Sequence, residues 1–190
     1  MKAYYRVINC VAIVLLTVGC SAQLSFDELT KNVPPDLNTH IHTSTEMQYS
    51  ISILEQLELL EKDYNSDTLE FELFVDNSTG LEEGASTLSI LKYNSSDTTL
   101  SGAWNILMIS RPFENFRIYS TGLTDFLSEH AFYEHSAYTI GKKNTETINF
   151  FFRSISSTFY LVNLQVTTEK GYPENMKELL SCAKSLKILP

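Results

Sequence analysis

Apolar and polar residues alternate along most of this chain, and the alternation predicts a sheet. Met47, Tyr49, Ile51 and Ile53 fall on one side of a strand, with Gln48, Ser50 and Ser52 on the other. Leu69, Phe71, Leu73 and Val75 alternate with Glu70 and Glu72, which this pattern assigns to the solvent side, and Leu88 and Ile90 mark a further strand. Trp104–Ile109 is apolar on both faces and reads as a central strand, with Phe116 and Ile118 continuing it. The clearest run lies in the last third. Tyr138 and Ile140 precede a turn at 141–144, then Ile148, Phe150 and Phe152, and after a Ser-rich turn Tyr160, Val162, Leu164 and Val166.

Spacings of three and four interrupt that alternation in three places. Leu54, Leu57, Leu60 and Tyr64 predict a short amphipathic helix that carries Glu55, Glu58 and Glu61 on its wet face. Phe126, Leu127 and Ala131 predict another helix within Thr124–Tyr133. After Gly171, Pro173 opens a C-terminal helix whose stripe of Met176, Leu179, Leu180, Ala183 and Leu186 must pack on the sheet. Phe26–Val33 makes at most a helical turn before Pro34-Pro35, and Asn38–Thr45 is polar without a burial pattern. Residues 20–46 therefore read as a tether, and 47–190 as a single α+β domain.

The first 19 residues change the picture from any globular protein to one with an address. Lys2 and Arg6 precede an apolar stretch, Val7–Val18, too short to span a bilayer, and Gly19-Cys20 follows. Leu16-Thr17-Val18-Gly19-Cys20 resembles the lipobox of bacterial lipoproteins, with Thr17 where that family usually has Leu. The resemblance implies cleavage after residue 19, acylation of Cys20, and attachment to a cell-envelope membrane. Ser21 in place of Asp points to the outer membrane, facing the periplasm. Several acyl chains give stable anchoring where a single one does not. The competing reading is an ordinary signal cut near Ala22.

Cysteine usage agrees with the anchor. Cys10 lies inside the leader, Cys20 would be lipidated, and Cys182 remains as a small residue on the last helix, so no disulfide framework exists. If Cys20 is not lipidated, a Cys20–Cys182 bridge becomes the rival expectation.

Charge excludes one class of partner. The chain has 14 basic against 23 acidic residues, and the leader takes two of the basic ones and none of the acids. Nucleic-acid binding needs a basic footprint, so it is not expected. The acid excess leaves a solvated surface or a basic protein partner, and Glu55, Glu58, Glu61, Glu82 and Glu83 are the candidate partner-binding residues.

Catalytic and metal signatures are missing. No Ser sits in Gly-x-Ser-x-Gly, the seven glycines are scattered, and no nucleophile–base pairing is legible. His40 and His42 would share one side of a strand, but in a tether they serve as polar spacing. His130 and His135, five apart, would not meet on a helix. Asn77-Ser78-Thr79 and Asn94-Ser95-Ser96 match the glycosylation sequon and read as loops. No cofactor, metal or enzymatic activity is expected.

The strand meander, the Tyr160-Leu161-Val162-Asn163-Leu164 strand, the amphipathic helix and the ending Ala183–Ile188 together resemble the PsbP and DcrB-like family. That resemblance implies an α/β/α sandwich, an antiparallel β-sheet flanked by helices, with a second helical layer over Phe151, Phe159 and Leu161. It also implies a non-catalytic binding, accessory or assembly module. A sharper expectation is an immunity lipoprotein whose acidic surface blocks a basic toxic effector. The competing class is a small hydrolase or metal-binding protein built on His40 and His42.

Overall fold

A computed structural model describes residues 24–35, 37–63, 69–76, 85–94, 114–140, 142–154, 158–168 and 172–190. The leader with Cys20, the expected strand Trp104–Ile109, the first sequon, and Glu82 and Glu83 lie outside them. In chain order the elements are α1 (Phe26–Thr30), β1 (Thr39–Ser44), β2 (Tyr49–Leu54), β3 (Leu57–Asp63), β4 (Leu69–Asp76), β5 (Thr87–Asn94), β6 (Glu114–Thr124), β7 (Ala131–Ile140), β8 (Lys143–Arg153), β9 (Thr158–Thr167), α2 (Tyr172–Lys184) and β10 (Lys187–Ile188).

Among the described residues all pairings are antiparallel and build two sheets: β1-β2-β10, and β3-β4-β5-β9-β8-β7-β6. The molecule is accordingly richer in sheet than an α/β/α sandwich. Among the described residues both helices lie with the small sheet on one face of the large one, where Phe26, Leu29, Ile51, Ile53, Phe150, Val162, Met176 and Leu180 share a core. The alternation of β8, β9 and β2 is as the sequence predicts: Ile148, Phe150, Phe152, Val162 and Leu164 are fully buried, and so are Met47, Tyr49 and Ile53. The stripe of α2 packs as expected, with Cys182 buried beside it. Phe151, Phe159 and Leu161 form a second buried cluster on the opposite face.

Four expectations are corrected. The described part of the segment expected as a helix, 54–63, is none: a turn at Glu55-Gln56 separates β2 from β3, which pairs with β4. Leu54 and Leu57 are buried as helical spacing requires, but Leu60 is 51% exposed, because ladder hydrogen bonds to β4 override a short local period. The segment 124–133 is the end of β6, a run of bends over 126–129 and the start of β7, and Leu127 and Ala131 are buried without a helix.

The third correction concerns the described part of the expected tether, which is built into the domain. Ser25 caps α1 in a capping box with Glu28. Phe26 stacks on Tyr133 at 3.8 Å, Leu29 is fully buried, and β1 pairs with β2 along six positions. The fourth concerns β4: its core-facing side carries Glu72 and Phe74, whereas the alternation had placed Glu72 in solvent.

Candidate functional site

Two features concentrate the chemistry. The first is β3, which ends the large sheet and pairs only with β4 among the described residues. Glu58 lies opposite Val75 and Glu61 opposite Leu73, with a bulge between Leu59 and Glu61. Residues three apart on a regular strand point to opposite faces, but the extra residue Leu60 restores Glu61 to the face of Glu58. Both acids are exposed, and the intervening Leu59 and Leu60 are 38% and 51% exposed. Glu55 is exposed in the preceding turn and accepts from Asn38 Nδ2 at 2.6 Å. The three acids assigned to a helix face thus lie on a turn and a bulged edge strand.

The second feature is a pair of buried carboxylates, each met by a histidine and a tyrosine. Glu72 on β4 accepts from Ser44 Oγ at 2.6 Å and from the Tyr49 hydroxyl, and faces His42 Nε2 at 2.7 Å. His40 lies two positions earlier on β1 and is exposed. Glu146 on β8 holds both the Tyr172 hydroxyl of α2 and His135 Nε2 of β7 on one oxygen. Tyr119, the bulged residue of β6, lies edge-on to the His135 ring at 5.2 Å. His130, by contrast, is exposed and bonded to Asp125 at 2.6 Å.

Both constellations join separate elements. Glu72 ties β1 and β2 of the small sheet to the large one, and Glu146 ties the first residue of α2 to β7 and β8. A buried carboxylate is tolerated only when donors surround it, and these two carry donors from different layers. Among the described residues, no group of three or more His, Cys, Asp or Glu is arranged to hold a metal ion. Sequence reasoning missed Glu72, Glu146, His135 and Tyr172, since alternation alone cannot tell a wet glutamate from one aimed into an inter-layer gap.

Burial moves the weak acids of the interior upward. It raises the Tyr138 and Tyr160 phenols to about 12 and the Cys182 thiol to about 11. Tyr172 rises for the same reason, reinforced by its bond to Glu146. At the surface, the backbone and side-chain hydrogen bonds of Ser25 lower Glu28.

No protein-family profile and no curated protein matches the chain. Solved structures do resemble it. A protein from Bacteroides thetaiotaomicron aligns at TM-score 0.53 and 10% identity over 81% of this chain, which spans 50% of that protein. Cyanobacterial PsbP (CyanoP) from Synechocystis aligns at TM-score 0.54 and 12% identity, over 80% of this chain and 94% of its own. LpqN of Mycobacterium tuberculosis, involved in cell envelope biogenesis, aligns at TM-score 0.54 and 8% identity, over 90% of this chain and 100% of its own. At these identities the likeness establishes a PsbP-like fold and nothing further.

Proposed function

We propose that this chain is a lipid-anchored, non-catalytic module of the cell envelope that binds a protein partner through the acidic edge of β3. The observation that carries the reading is the bulge at Leu60, which sets Glu58 and Glu61 on one face of an edge strand whose Leu59 and Leu60 are also exposed. Exposed acids and exposed apolar side chains along one strand suit a partner that presents basic and apolar residues together. The lipobox-like Leu16–Cys20 supplies the anchor, and the likeness to LpqN, an envelope-biogenesis protein, supports the compartment. Among the described residues no helix is long and apolar enough to cross a membrane, so attachment in this reading rests on Cys20.

The test compares wild type with Glu58→Lys/Glu61→Lys in capture from native envelope, followed by association kinetics with the recovered partner. Reversal is expected to slow association and flatten its salt dependence while the melting temperature holds. Equal recovery and equal rates would show that these acids are not the recognition surface.

A further inference from the structure

The folded part of the chain begins close to the proposed anchor. Leu24 already packs against the main core and Ser25 caps α1. A chain advances at most ~3.4 Å per residue, so Cys20 lies within about 14 Å of Leu24 whatever path the intervening residues take. A coil of 27 residues, as a tether over 20–46 would have been, has a root-mean-square length of ~29 Å. A lipidated Cys20 sits at the headgroup layer, itself roughly 5–8 Å thick. The folded part of the domain therefore starts less than about 10 Å above that layer.

The structure also tells which end must come down. Phe26, the first residue of α1, stacks on Tyr133 of β7 and packs against Phe126 at 6.5 Å and Phe150 of β8 at 6.0 Å. The β6–β7 turn, residues 125–130, therefore lies beside the point where the anchor enters. That turn is rigidly held. Ser128 Oγ donates to the Leu186 carbonyl at 3.0 Å, and Lys184 lies over the Phe126 ring at 5.7 Å. At the end of β6, just before the turn, Leu123 is 63% exposed. Around it, Asp27, Glu28, Asp125 and Glu129 outnumber Lys31 and Lys184, a surface that anionic lipid would repel and zwitterionic headgroups would not. The turn at Glu55-Gln56 before β3 is the remote corner of the large sheet: it lies five strands from β7 in the sheet order, ~24 Å at the usual strand spacing, and the register sets it toward the strand end opposite the 125–130 turn.

We infer that, once lipidated, the domain rests directly on the bilayer surface, with the α1 start, Leu123 and the 125–130 turn against zwitterionic headgroups and the Glu55-Gln56 corner of the large sheet held away from them. This deepens the anchored-module reading and rests on it.

Site-specific fluorescence tests the inference on full-length lipidated protein in phosphatidylethanolamine–phosphatidylcholine vesicles that contain a headgroup-nitroxide lipid. Labels are placed at Glu129→Cys and at Glu55→Cys; Cys182 is buried and does not compete. The label at 129 is expected to be quenched several-fold more than the label at 55. A roughly 20-residue Gly/Ser insertion after Ser21 should abolish the contrast without releasing the protein. Equal quenching at both positions, stronger quenching at 55, or a contrast that survives the insertion would overturn the orientation. Failure to sediment with vesicles and to incorporate palmitate would defeat the underlying anchor reading instead.

Discussion

Glu72 is the residue on which the two sheets meet. It is fully buried on β4, and its donors come from β1 and β2, so its removal uncovers the Tyr49 and Ser44 hydroxyls inside a sealed interface. Leaving buried donors without an acceptor costs ~1–3 kcal/mol each, and cavity formation adds to this. Glu72→Ala is therefore expected to lose about 3–5 kcal/mol in denaturant unfolding, and Glu72→Gln, which keeps one acceptor oxygen, markedly less. A loss below ~1 kcal/mol for the alanine variant would show that this carboxylate does not hold the sheets together. The same residue marks the limit of reading the sequence by alternation: Glu70 and Glu72 look like a wet face, and only the distant His42, Ser44 and Tyr49 reveal that Glu72 points inward.

At the scale of elements, legibility followed the strength and length of the local signal. β8, β9 and α2 were readable because Ile148–Phe152, Tyr160–Val166 and Met176–Ala183 repeat one period over several turns or pleats, and their burial matches it. Leu54–Tyr64 and Thr124–Tyr133 were misread as helices since three or four apolar residues fit both periods; pairing with β4 settles the first and the β6–β7 turn the second. α1 and β1 carried almost no signal. Their stability comes from Phe26 and Leu29 reaching the core, which is long-range in sequence, and from β1 pairing with β2 as a hairpin across the turn at 45–48. A chain beginning at Met47 should accordingly fail to fold, giving collapsed amide dispersion and rapid proteolysis, because Ile51 and Ile53 lose their cover and Glu72 loses His42 and Ser44. A well-dispersed spectrum from that truncation would restore the tether reading.

For the whole molecule, buried phenols spread across its layers make alkaline pH the condition that separates them. Tyr160 on β9 donates to the Met47 carbonyl at 2.6 Å and so holds the start of β2 on the large sheet, while Tyr138 on β7 donates to Gln165 at 2.7 Å on the opposite face. Burial raises both phenols from 10 to about 12, and Tyr172, bonded to Glu146, also rises. A folded value above the unfolded one means that the unfolded chain gives up its proton first. The stabilisation is thus fully present below about pH 10 and is lost as pH climbs through about 12. Discounted for solvent screening, the two phenols account for on the order of 2 kcal/mol, or a fall of roughly 4–8 °C in melting temperature between pH 9.5 and 11.5. Spectrophotometric titration should show Tyr138 and Tyr160 ionising in a cooperative step near pH 12 that coincides with loss of circular dichroism. If both ionise well below that step while the fold persists, these phenols do not contribute to holding it together.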